Sequence, residues 1–227
     1  MGKTLPQISR RLDPKYEDKI RAYATETGLA GWAWADFCGD LFILFWFLII
    51  RTDWQQTAER AHGVWHTIQS DKTQRQMVKT LADAELRTRP KLHKRVKWIL
   101  DQADELSIWR NMAAHVPASF SDAYASAPVA DPQSTRTYMR HRFDRVDHAK
   151  FWNLLTGDLI ALGEYTFYVA SALHPKGADA PLPRRPEMRS PREIHRIEAS
   201  IRQLDTTRRK PRRRASKVKQ KRAKGAS

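Results

Sequence analysis

With 227 residues, 41% apolar side chains and only 9 glycines, the chain can bury a real core, in one sizeable domain or two small ones. Its composition favours long helices over a turn-rich β fold. The single cysteine, Cys38, excludes an internal disulfide and any Cys-cluster zinc site, and it fits a reducing, cytoplasmic setting. The formal charge of +16 is uneven: residues 174–227 carry 18 Lys and Arg against 5 Asp and Glu, whereas residues 1–173 carry 23 against 20. The body is thus a mildly basic domain and the tail a polyelectrolyte.

Residues 1–13 read as a polar N-terminal extension without the apolar run of a signal peptide. An all-α, antiparallel bundle is expected over residues 14–174. Asp13 and Pro14 open a first helix that runs to Glu26, with Asp13 as cap and Pro14 at the first helical position. Gly28 and Gly31 interrupt it, and a second helix follows from Trp32 to Ile50. Its run Leu41–Ile50 is bracketed by Asp36, Asp40, Arg51 and Asp53. That leaves 10 uncharged residues where a membrane span needs about 20, so a buried helix is expected and no membrane contact. The run is apolar on all sides, more than a small bundle readily covers, and part of it is expected to form a homodimer interface.

Asp53 and Gln56 form a capping-box pattern for a helix to Ile68. Ser70 caps the next helix, which extends to Leu86. Pro90 opens a fifth that stops at His115 or Val116, because Pro117 disfavours helical geometry before it. Residues 117–146 are polar, with a hairpin or loop at 135–143. Asp147 caps a last helix ending near His174. Residues 175–227 are too poor in apolar side chains to bury a core, and they read as a disordered basic tail with a short helix possible around Pro191–Leu204.

The fifth helix carries the most informative local pattern. At 100° per residue, Leu92, Val96, Ile99, Leu100, Ala103, Leu106 and Ala113 form one apolar stripe, and Arg110 falls near its middle. A guanidinium there cannot lose its charge, so it needs a partner or an opening to solvent. Asn111 and His115 share a face on the flank of the stripe. On the second helix, Asp36 and Asp40 interrupt the apolar face of Trp32, Ala33, Phe37, Leu41 and Leu44. Either carboxylate could hold Arg110, and such a pair could also serve only to orient two helices. Arg followed by His after a few residues recurs elsewhere in this Arg-rich chain. The Arg110 copy differs by its adjacent Asn, its place in an apolar stripe and the helix stop that follows.

Arg110-Asn111-Met112-Ala113-Ala114-His115, within "ILDQADELSIWRNMAAHVP", resembles the motif helix of the HEPN superfamily. The segment "GLAGWAWADFCGDLFILFW", with acidic residues inside an aromatic-apolar helix, is also similar. The resemblance covers roughly residues 14–174. It implies a helical bundle and, in many members, a metal-independent endoribonuclease of toxin–antitoxin or phage-defence systems. The working groove would lie between two protomers; other members have no demonstrated activity. No metal or cofactor is expected. In such a site His115 is the acid/base, Arg110 binds phosphate through two parallel hydrogen bonds, and Asn111 orients His115 or the substrate. The alternative for His115 is a C-terminal cap on the last carbonyls.

Glu59, His62 and His66 share a helix face but offer no fourth metal ligand, so they read better as polar side chains on the solvent face of the helix. Of the eight Trp residues, most are expected in the core or at a dimer interface. In the tail, Arg208, Arg209, Lys210, Arg212, Arg213, Arg214, Lys217 and Lys219 form a dense cationic block. Such a block suits RNA backbones without sequence preference. The expected partners are RNA, a second copy of the chain and an antitoxin or other regulatory protein. The competing expectation is a non-catalytic dimer that binds nucleic acid or a partner protein.

Overall fold

The computed structural model describes residues 17–50, 54–115, 118–119, 129–130, 148–174 and 181–193. Apolar residues at helical spacing there build α1 (Glu17–Ile49), α2 (Trp54–Thr67), α3 (Asp71–Glu85), α4 (Pro90–His115) and α5 (His148–Ser171). The fold is all-α. Its only described strands are the two-residue β1 (Ala118–Ser119) and β2 (Val129–Ala130), paired antiparallel with Ala118 opposite Ala130. The expected hairpin at 135–143 lies outside the described residues.

The local signals read from the sequence recur at α3 and α4. Ser70 caps α3 by accepting a hydrogen bond from the Thr73 amide, and Pro90 opens α4. The α4 stripe is in the core: Leu92, Val96, Ile99, Leu100, Ala103 and Leu106 are all buried. At about 1.5–3 kcal/mol for each fully buried large apolar side chain, this packing outweighs weak local preferences.

The start of the chain departs from expectation. Two helices broken at Gly28 and Gly31 are instead one continuous α1. Neither glycine has a positive φ, and a Cβ at either would meet nothing within 4 Å, so neither marks a turn. Each costs an α-helix only about 1 kcal/mol relative to Ala, and the burial of Ala30, Ala33, Trp34 and Phe37 around them exceeds that cost. Continuity also makes Arg21–Ile49 long and apolar enough to cross a membrane, by length and composition only. The bracketed ten-residue run is not. In the bundle, Phe37, Leu41, Leu44, Phe45 and Leu48 are buried, while Trp32 is 64% exposed rather than part of the core.

Side-chain contacts set the helix directions. Arg75 reaches Asp104 and Ser107, and His93 meets Asp83 at 2.6 Å, so α3 and α4 are antiparallel. Trp98 packs on Tyr165 and Trp109 on Phe151, so α4 and α5 are antiparallel too. Tyr23 meets Trp152 and Phe47 meets His174, so α1 and α5 run parallel. An odd number of alternating helices leaves the first and last pointing the same way. The expected antiparallel bundle therefore also contains parallel neighbours, α1 with α3 and α1 with α5, and α1 packs chiefly on α5.

Residues 181–193, assigned from composition to a disordered tail, instead pack on the bundle as a strap. Met188 and Ser190 are buried, and Leu182 is partly buried against the core. The buried Asp158 of α5 holds the strap. Its carboxylate accepts hydrogen bonds from the Arg189 amide at 2.9 and 3.0 Å, the Ser190 amide at 2.7 Å and the Ser190 hydroxyl at 2.6 Å. These charge-assisted bonds cap a helical turn at 190–193. The strap runs antiparallel to α5: Pro183 lies near Arg95 and Tyr165, Ser190 on Asp158, and Glu193 on Lys150 at 2.9 Å. Two apolar anchors and one buried carboxylate are enough to dock a segment whose average composition is that of a solvated chain.

Candidate functional site

Arg110 faces α1 and α3. Its Nη2 donates to Asp71 Oδ2 at 2.8 Å and its Nη1 to Asn111 Oδ1 at 3.0 Å, and its guanidinium lies 5.0 Å from the centroid of Trp34. Trp34 Nε1 donates to the same Asp71 oxygen at 3.2 Å. One turn further along α3, Arg75 is buried. Its Nε donates to Asp104 Oδ1 at 2.7 Å and its Nη2 to Ser107 Oγ at 3.3 Å. Its guanidinium is 5.5 Å from Trp34. Arg75 Nη1, 4.0 Å from Asp71 Oδ2, has no hydrogen-bond partner among the described residues. Two guanidiniums thus share one indole and are matched by two carboxylates. Cys38, one turn after Trp34, senses the cluster. Its thiol is pushed up to about 11, by burial first and Asp71 second, with Arg110 and Arg75 opposing.

The partner of Arg110 is therefore Asp71, not Asp36 or Asp40. The helical wheel gives the reason. Trp34 and Cys38 are four apart and face α3 and α4, while Asp36 lies about 200° round from Trp34. Asp36 is exposed. Asp40 is half-buried against α5, where its Oδ2 would be 2.7 Å from a Cβ at Gly163; glycine leaves the room it needs. Its carboxyl is pushed up to about 6 by burial first, then by Asp36 and Glu164.

Asp71 sits in the first turn of α3, fixed there by the Ser70 cap, where a carboxylate suits the helix N-terminus. Arg75 was missed at the sequence level although its signal resembles that of Arg110. It lies on the buried stripe of α3 with Val78 and Ala82, and Asp71 precedes it by four. Asn111 is exposed and the Arg110 side chain keeps 25% exposure, so this edge of the cluster is open. His115 ends α4, one turn beyond Asn111; its side chain lies outside the described residues. So does the cationic block Arg208, Arg209, Lys210, Arg212, Arg213, Arg214, Lys217 and Lys219. The His62 and His66 rings lie 4.1 Å apart beside Phe42. Among the described residues no group of three or more His, Cys, Asp or Glu is placed to hold a metal.

Comparison of the chain with protein-family models, with curated proteins and with solved structures found no match.

Proposed function

We propose that the chain is a HEPN-type, metal-independent endoribonuclease that works as a cytoplasmic homodimer, in a toxin or phage-defence setting with an antitoxin or regulatory partner. One observation supports this reading. Arg110 is oriented by Asp71 and Trp34 near the end of α4, partly exposed, with Asn111 bonded beside it and His115 one turn on. Asp71 holds one side of the guanidinium, and the Nη1 side, now on the exposed Asn111, is the side a phosphate oxygen can take. The RNA 2′-OH attacks the adjacent phosphorus and expels the 5′-oxygen of the next nucleotide, leaving a 2′,3′-cyclic phosphate, while His115 moves the proton from the 2′-OH to the departing oxygen and Arg110 holds the developing charge. The exposed Trp32 and half-buried Phe42, Ile43 and Trp46 of α1 are the surface for a second copy, and the basic block in residues 208–219 gathers RNA.

A second reading, a non-catalytic HEPN-like dimer that binds nucleic acid or protein, is favoured by the ion pair that neutralises Arg110. One experiment separates the two. Purified protein is incubated with mixed RNAs in EDTA beside Arg110→Ala and His115→Ala, with sedimentation of the same samples. The nuclease reading expects cleavage by a dimer, 2′,3′-cyclic or 3′-phosphate ends, intact DNA and a loss of roughly 10²–10⁴-fold in the His115→Ala variant. Cleavage that EDTA abolishes, or that persists without His115, removes the mechanism. A monomer removes the two-chain groove. No cleavage by the wild type leaves the binding reading.

A further inference from the structure

Between α4 and the strap lies a cleft of about 1040 Å³, lined by Arg95, Trp98, Arg184, Arg185, Met188 and Arg192 among others. Its four arginines face two glutamates, Glu105 and Glu187. Glu187 is paired with Arg192. The other three arginines form no ion pair among the described residues. Arg95 donates to the Tyr165 hydroxyl and to the Pro183 carbonyl at 3.1 Å. Arg185 donates to the Lys94 carbonyl at 3.1 Å and lies 5.4 Å from the centroid of Trp98. Arg184 is exposed. A bond to a neutral oxygen, or a ring face, positions a guanidinium without cancelling its charge, and the remaining donors stay free for an anion. Arg95 and Arg185 are held rigidly, because the contacts that orient them also pin the strap to α4 and α5.

The geometry points to one class of ligand. The cleft is as large as sites for drug-sized molecules, far more than a single phosphate needs, and Arg95, Arg184 and Arg185 come together at the end where the strap meets Lys94 and Arg95. The Trp98 indole is already in T-shaped contact with Tyr165 and lies against the Arg185 guanidinium, so much of its ring is taken and the arginines, not base stacking, define the site. We propose that the α4–strap cleft binds the phosphodiester backbone of a single-stranded nucleic acid, without regard to base or sugar. This holds whether or not Arg110 and His115 cleave RNA.

The test uses full-length protein and a fluorescein-labelled hexamer of deoxythymidylate, which has no 2′-OH and cannot be cut by the proposed chemistry. Arg184→Glu is compared with Arg60→Glu, an equal change of charge at an exposed position of α2. Fluorescence anisotropy should show at least five-fold weaker binding for Arg184→Glu, a salt slope shallower by about 0.7, and less than a two-fold change for Arg60→Glu. Equal weakening by both variants would reduce the site to a general field and overturn the proposal. On the wild type, a 4-thiothymidine hexamer should crosslink within residues 94–105 and 181–192. Crosslinks confined to residues 194–227 would overturn the proposal without any variant. Competition by thymidine monophosphate or inorganic phosphate at the hexamer's own concentration would assign the cleft to a small phosphate ligand and sink the strand reading.

Discussion

On the α1–α3 side of α4, Arg75 and Arg110 meet Asp104 and Asp71 and share the face of Trp34. On the strap side, Arg95 and Arg185 meet a phenol, two backbone carbonyls and the face of Trp98. The residue types are the same and the helix is the same. What differs is the acceptor. A carboxylate orients a guanidinium and cancels its charge; a carbonyl or hydroxyl orients it and leaves the charge to act outward. The neutral cluster is built for placing one arginine accurately, and the strap side for attracting anions. Arg count alone therefore says little about where a phosphate will settle.

The largest effect should come from breaking the strap side. Asp158→Ala strands two backbone amides and a hydroxyl that are now bonded to one buried carboxylate, a cost of roughly 3 kcal/mol from the penalty for unsatisfied buried donors. Tryptic cleavage after Arg184 and Arg189 should then speed up by roughly 10²-fold, following the population of the undocked strap. Unchanged cleavage would mean that Asp158 is not the anchor.

A smaller change should turn the neutral side into a charged one. Asp71→Asn keeps an oxygen for Trp34 and Arg110 but removes the negative charge, at about 1–2 kcal/mol of stability by the worth of a charged hydrogen bond. Binding of the thymidylate hexamer should tighten about three-fold and its salt slope steepen by about 0.7. No tightening would show that the charge of Asp71 does not limit anion binding at Arg110.

The least effect of Asp71→Asn on the fold is local, at Cys38. The Cys38 thiol, pushed up to about 11, should react with iodoacetamide at pH 8 on the order of 10²-fold more slowly than an exposed cysteine, because only the thiolate attacks. In Asp71→Asn the second cause of that rise is gone while Arg110 and Arg75 still favour the thiolate, so alkylation should quicken a few-fold. A slower reaction would reverse the assigned sign.

What was legible in the sequence was what neighbours in sequence decide. Ser70 and Pro90 mark helix starts through their own caps, and the α4 stripe is a period of 3.6 that the core repeats. Gly28 and Gly31 misled because a local cost was weighed without the burial around it. Arg110 was visible as a cation inside an apolar stripe, but its partner was not, because Asp71 is 39 residues away and only the packing of α3 on α4 brings it near. Arg75 carried the same signal and went unread. Asp158 follows Gly157 in an unremarkable stretch, and nothing local reveals that its carboxylate is spoken for by residues 31 and 32 positions later.

The direction of the strap has a consequence of its own. Helix α5 ends at Ser171, at the far end of the bundle from Arg110. The strap carries the chain back along α5, so that Glu193 rests on Lys150. Lys150 adjoins Phe151, which packs on Trp109, the residue before Arg110. From Ala172 to Lys150 the return is about 33 Å at 1.5 Å per helical residue. The last described residue, Glu193, thus lies at the Arg110 end of the bundle. Asp158, by docking the strap, therefore decides at which end of the bundle the described chain finishes.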